Sequence, residues 1–229
     1  MVSRIRMFLA ASLVLALAAC GSGPDESPPS DRVAAAAWHE WKRYGGNIID
    51  YGGRHSRNGG GHESRDPLAS RINTYWRAAG RPEWDGRSNK PWSGAFVTWV
   101  AKDAGINGRD FRPAGRHADY MKAMLDLQLA GRPGRYVVMD WRDITPKSGD
   151  LVCAGTRAVG HRSARALRAA ADREVRHCDV VIDNRGRRLR VVGGNVSDSV
   201  SMSFFPTDAA GRLLPVRGRP WFAVIDKRD

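Results

Sequence analysis

The sequence predicts an α+β fold in which helices pack on one antiparallel sheet. Three observations carry that expectation. Apolar residues recur at helical spacing through the first half of the chain, short β-branched and aromatic runs follow from Leu151 onward, and no segment repeats. The 229 residues are 42% hydrophobic and 27% charged. That is enough to bury one core, and it excludes a chain disordered throughout, a collagen-like repeat and a polytopic membrane protein.

Each element follows from its residues. Arg4 and Arg6 precede an apolar run from Met7 to Ala19, which is too short to span a bilayer as a stable helix. Residues 20–32, rich in Gly, Ser, Pro and acidic side chains, read as a flexible tether. Residues 33–229 read as a single domain. Val33 to Tyr44 has helical spacing, with Trp38 and Trp41 on the buried stripe. Residues 52–63 form a polar loop whose Gly59-Gly60-Gly61 run precedes no strand–helix unit, so it makes a poor phosphate cradle.

Ser64 to Ala79 predicts a second helix, with Leu68, Ile72, Tyr75 and Trp76 on one side and Gly80-Arg81-Pro82 as its stop. Pro91 to Ala104 predicts a third, closed by Gly105. Its positions 93, 96, 97, 100 and 104 share a face, which puts Ser93 at the head of the buried stripe. A fourth helix spans His117 to Leu129. Pro146 to Asp150 is a turn into a strand beginning at Leu151. Arg162 to Arg176 is helical and basic, and reads as a surface insertion between strands. Strands are expected at 177–183, 189–195, 199–205 and 221–226.

The turn at Asn184-Arg185-Gly186-Arg187 has a geometric consequence. A three-residue loop centred on Gly186 would oppose His177 to Asn195 across the hairpin. Val181 and Val191 would share their face, with Cys178, Val180 and Ile182 on the other. An Asn there can hold an imidazole in one tautomer. A serine at a helix head, packed on a sheet bearing His and Asn, is a nucleophile–base–orienter layout. Ser93 taken alone reads as an N-cap. Asp179 shares the strand face of His177, and Asp179 or Asp198 can replace Asn195 as orienter. His117 either lines the groove or caps its own helix. Cys178 points away from the His177 face and makes a poor nucleophile for it.

Charge and cysteines bound the setting. Lys+Arg of 37 against Asp+Glu of 24 gives +13, and only six of the cations are Lys. So basic a chain suggests nucleic acid, but the N-terminus points elsewhere. Leu17-Ala18-Ala19-Cys20 after the apolar run resembles the lipobox of bacterial lipoproteins, which implies removal of residues 1–19 and lipidation of Cys20. Gly21, rather than Asp, then implies the outer membrane over the inner. An exported chain meets anionic headgroups or cell wall rather than genomic DNA, so no nucleic-acid partner is expected. The alternative for the arginines is a solvated surface. Cys153 and Cys178 remain in an oxidising compartment, where a disulfide is permitted if their Cα atoms come within about 7 Å. A zinc set from Cys153, His161, His177 and Cys178 fits no standard spacing.

These segments resemble the CHAP and NlpC/P60 cell-wall hydrolases of the papain-like superfamily, and are most similar to bacterial lipoprotein domains of the DUF2272 type. In the hydrolases the nucleophile helix opens with a Trp-Cys-Ala-Ala-Phe-Val-type run. Here it reads Trp92-Ser93-Gly94-Ala95-Phe96-Val97. Ser148-Gly149-Asp150-Leu151-Val152 matches their Pro-Gly-Asp turn and strand, His177 their catalytic His, and Gly193-Gly194-Asn195 their Gly-Gly-Asn segment, over residues 64–226. The resemblance implies a papain-like fold and hydrolysis of amide bonds in peptidoglycan peptides. Ser93, His177 and Asn195 would be catalytic, Trp92, His117 and Asp179 would contact substrate, and no cofactor or metal would take part. Ser93 departs from the family's Cys. A helix dipole of roughly 0.3–1 kcal/mol cannot ionise a serine, so Ser93 needs a true general base and an oxyanion site. A non-catalytic module that binds cell wall or anionic lipid is the alternative.

Overall fold

A computed structural model describes residues 27–53, 56–57, 59–157 and 163–228. The expected signal peptide, the lipidation site Cys20, most of the tether and His161 lie outside the described residues. The order is α1 (Arg32–Arg43), β1 (Asn47–Asp50), α2 (Leu68–Ala78), α3 (Ser93–Asp103), α4 (His117–Leu129), β2 (Tyr136–Asp140), β3 (Leu151–Gly155), α5 (Ala164–Glu174), β4 (Val175–Arg185), β5 (Arg188–Gly193), β6 (Ser201–Pro206) and β7 (Trp221–Lys227). The α+β expectation holds.

The strands form one sheet in the order β1-β6-β5-β4-β3-β7-β2. Its pairs are antiparallel apart from β1 and β6, which run parallel. The expected all-antiparallel sheet is thereby corrected to a mixed one. Both edge strands escaped the sequence reading. β1 is only four residues long, and β2 carries the β-branched and aromatic run Tyr-Val-Val-Met-Asp.

The two sheet faces bury separate cores. Cys153, Cys178, Val180, Ile182, Val192 and Met202 join buried residues from all five helices in the larger cluster. Val152, Val181, Val191, Phe205 and Val224 form a smaller one, closed by Trp141, Leu213 and loop residues. The alternation along β4 therefore runs as expected. The basic run expected as a surface insertion is corrected over Ala164–Glu174 to a docked helix: Leu167, Ala170 and Ala171 are buried, α5 packs against α4, and Val175 and Arg176 already belong to β4.

The β4–β5 hairpin reaches its register by an unexpected route. Its loop has two residues, Gly186 (φ 59) and Arg187 (φ 62), because Arg185 pairs with Arg188. Positive φ at both positions fits a hairpin turn that follows the strand twist. A bulge at Ile182 then shifts the pairing by one, so Val180 faces Val192 and Val181 faces Val191. The expected opposition of His177 and Asn195 still does not form. β5 ends at Gly193, and Asn195, Ser197 and Asp198 turn away with φ of 57, 53 and 56.

Cys153 and Cys178 face each other across β3 and β4 and form a disulfide, with Cα atoms 4.1 Å apart. Both are fully buried. They join the strand before the α5 excursion to the strand after it. Closing the 25-residue separation removes about 3–4 kcal/mol of chain entropy from the unfolded state. We expect the double variant Cys153→Ala/Cys178→Ala to lose about that much in urea unfolding. A loss below 1 kcal/mol would contradict a structural role for the bond.

Candidate active site

Ser93 is the first residue of α3 and is buried, on a helix whose Phe96 and Val97 enter the larger core. The N-cap position is Trp92, which makes no side-chain cap, and the Ser93 hydroxyl does not cap either. It lies 2.7 Å from Nε2 of His117. His117 in turn opens α4, where the N-cap position Arg116 also offers no side-chain cap. Two helix heads thus meet through one hydrogen bond.

Small residues make that meeting possible. A Cβ at Gly94 would lie 2.4 Å from the Gly115 carbonyl oxygen, so only glycine admits the segment that leads into α4. Thr98 fixes the same segment. Its hydroxyl donates to the Ala114 carbonyl at 2.7 Å and accepts from the Ala114 N–H at 3.2 Å.

The other imidazole nitrogen of His117, Nδ1, lies 2.6 Å from the Tyr120 hydroxyl, one helical turn on. Tyr120 is fully buried and His117 is 5% exposed. Burial drives the His117 pKa well below the ordinary value of 6.5, with the nearby His177 adding to the effect and Asp179 opposing it. The resting imidazole is therefore neutral at pH 7, with one N–H and one lone pair. When Nδ1–H donates to the Tyr120 oxygen, Nε2 presents its lone pair to Ser93. When Tyr120 donates to Nδ1, Nε2–H donates to the Ser93 oxygen. The tyrosine hydroxyl thus decides whether His117 can act as a base. Burial also pushes the Tyr120 phenol well above its usual range, so it stays protonated.

A second ring stands against the first. His177 on β4 meets His117 edge-on, with ring centres 5.5 Å apart. Its Nε2 lies 2.7 Å from Oδ1 of Asp179, two residues on along the same strand face. Oδ2 of Asp179 faces the Arg219 guanidinium at 3.4 Å. Burial alone would raise the Asp179 carboxyl, but the flanking His177 and Arg219 outweigh it and hold the pKa at about 2. Gly193 gives this pair its space. A Cβ there would lie 1.9 Å from Asp179 Oδ1 and 2.9 Å from His177 Nε2.

Asn195 takes other partners. With its amide turned so that both polar atoms are satisfied, it bridges Glu63 and the head of α3, Nδ2 donating to Glu63 Oε2 and Oδ1 accepting from the Trp92 N–H, both at 3.2 Å. Trp92 Nε1 donates to the same Glu63 oxygen at 2.6 Å. The Trp92 ring is buried between Tyr75 and Tyr44, so it walls the core instead of presenting a platform. Asp198 faces His62 at 3.7 Å. Of the sequence-derived candidates, the fold brings together Ser93, His117, His177 and Asp179, and sets Asn195 and Trp92 beneath the α3 head. Sequence reasoning missed three residues, Tyr120, Arg219 and Glu63. The spacing of His117 and Tyr120 was a usable signal; Arg219 and Glu63 arrive from distant loops with none.

The chain matches the family model described as "Uncharacterized protein conserved in bacteria (DUF2272)" over residues 37–226, which takes in every residue of this site. No curated protein and no solved structure matches the chain.

Two outcomes follow from the geometry. Gly193→Ala must displace the Asp179 carboxylate, so it should cost about 1–3 kcal/mol in urea unfolding and shift the His177 imidazole 15N resonances. Unmoved resonances would contradict a dependence of the pair on Gly193. The second outcome concerns acid. Below pH about 6.5 the unfolded chain protonates His117 while the folded chain does not, so stability should fall as pH drops toward the lowered folded value. Asp179 adds a further loss between its ordinary 3.8 and about 2. The upper part of that slope should flatten in His117→Gln, and an unchanged slope there would overturn the assignment.

Proposed function

The chain belongs to the DUF2272 family of bacterial proteins, and from that premise we propose that it is an envelope lipoprotein whose papain-like domain hydrolyses amide bonds of peptidoglycan peptides. The observation that carries this reading is the 2.7 Å contact between the Ser93 hydroxyl and His117 Nε2 at the head of α3. Serine needs a base within hydrogen-bond reach, and this one is neutral, buried and held at its other nitrogen by Tyr120.

The steps follow from the contacts. Ser93 Oγ attacks the amide carbon while its proton passes to His117 Nε2. The carbonyl oxygen becomes an oxyanion, a charge that the unpaired N–H groups of a helix N-terminus favour. The C–N bond breaks as the amine takes the proton, leaving an acyl ester on Ser93. Water then attacks the ester, its proton passing to His117 and on to Ser93 Oγ. The imidazolium formed at each stage sits in a buried place that disfavours charge. The Asp179 carboxylate, shared with His177 and Arg219, opposes that penalty. His177 is the more exposed imidazole, with a side chain 16% accessible against a residue value of 5% for His117. Glu63 and Asn195 act on the site by fixing Trp92, and so the orientation of the α3 head.

One observation favours the second reading, a cell-wall or anionic-lipid binding module that has lost the nucleophilic Cys. Ser93 is only 7% exposed, so a substrate carbonyl reaches it only if the surrounding chain moves aside.

Purified protein incubated with muropeptides separates the two. The hydrolase reading predicts release of free amine by the parent, a fall of at least about 10³-fold in Ser93→Ala and about 10²–10⁴-fold in His117→Ala. A silent parent with activity gained by Ser93→Cys, or sacculus binding without turnover, contradicts it in favour of the binding module.

A further inference from the structure

The site and the start of the domain lie at opposite ends of the molecule. α1 begins at Arg32, where Asp31 pairs with Lys227 at 2.8 Å, and ends where Tyr44 stacks near Trp92 under the α3 head. Its 12 residues rise about 18 Å. β4 runs the other way, from His177 beside the site to the hairpin at Arg185, about 26 Å along the strand. Residues 27–30 share a small cavity of about 190 Å³ with Asp183, Arg185 and Arg190, so the chain enters the domain beside the hairpin.

That end is cationic. Arg185, Arg187 and Arg212 are exposed, and none has an ion-pair partner among the described residues. The loops 145–148, 183–187 and 208–211 enclose a cleft of about 510 Å³ between them. Of the acidic residues there, Asp183 is engaged by Arg190, and Asp208 accepts backbone N–H groups of its own turn from Ala210 and Arg212. The three arginines therefore keep their charge for an outside partner.

We propose that this end, built on the β4–β5 hairpin and the 207–213 loop, is a docking face for an anionic bilayer surface, with Arg185, Arg187 and Arg212 meeting headgroup phosphates. The inference rests on the lipoprotein reading for its orientation. Only six residues lie between Cys20 and Ser27, so the seven Cα–Cα steps reach at most about 25 Å, and an acyl chain at Cys20 would hold the hairpin end against the membrane. Juxtamembrane arginines add attraction to anionic lipid over about one Debye length. The Ser93–His117 end would then face away from the bilayer, toward the wall polymer.

The test uses the processed chain from residue 20, which keeps every described residue, with Cys20→Ser to remove the acyl anchor. The probes are vesicles of pure phosphatidylcholine and of phosphatidylcholine with one quarter phosphatidylglycerol, at low salt. We expect sedimentation with the anionic vesicles only, weakened at least tenfold by Arg185→Glu/Arg187→Glu. The charge-matched Arg81→Glu/Arg112→Glu, set on a cleft beside α4 instead, should leave it within twofold. Equal weakening by both pairs, or a parent that ignores anionic vesicles, would overturn the proposal. Palmitate incorporation at Cys20 and muropeptide turnover are read separately, so loss of the docking face is distinguishable from loss of the lipoprotein or hydrolase reading.

Discussion

Everything at the site depends on one hydrogen bond between two helix heads. Ser93 and His117 each begin a helix whose N-cap position makes no side-chain cap. Both side chains are spent on each other instead of on their own backbones. An N-cap is worth about 0.5–2 kcal/mol, so leaving two helices without one is a local cost. The glycine contact at Gly94 and Gly115 and the two Thr98–Ala114 bonds hold the heads close enough to bear it. A polar pair this deep is the kind of local sacrifice that functional sites make.

The second half of the site is a charge problem solved by the sheet. Asp179 is fully enclosed yet ionised, because an imidazole and a guanidinium flank it from β4 and from the loop before β7. The carboxylate lies close enough to affect His117 as well as His177. One buried negative charge therefore supports both imidazoles. Gly193 is the structural condition for that arrangement, since any side chain there would occupy the carboxylate's place.

Much of this was legible in the sequence, and the gaps have physical causes. Helical periodicity located α1, α3 and α4 to within two residues and put Ser93 at the head of a buried stripe, because the amphipathic signal is local. The sheet was harder. β1 gains its pairing from β6, far along the chain, and four residues carry no period of their own. The hairpin shows how a local rule can give the right register near Val181 for the wrong reason. The loop is one residue shorter than expected, and the bulge at Ile182 makes up the difference. Continuation of β5 would make Asn195 the partner of His177; the strand instead ends at Gly193, and the chain turns left-handed from Asn195 onward. Tyr120 was within reach of sequence reasoning, one turn from His117 on the same helix. Arg219 was not, since only the fold brings its loop to β4.

The claim that Ser93 is an activated nucleophile is tested most directly by its reaction with an alkyl fluorophosphonate, read by intact mass and peptide mapping. A single phosphonyl adduct on Ser93 in the native protein, not formed when the protein is unfolded before the reagent is added and absent from His117→Ala, is the predicted result. A folded protein that takes up no reagent at Ser93 while its other serines are equally inert would contradict it.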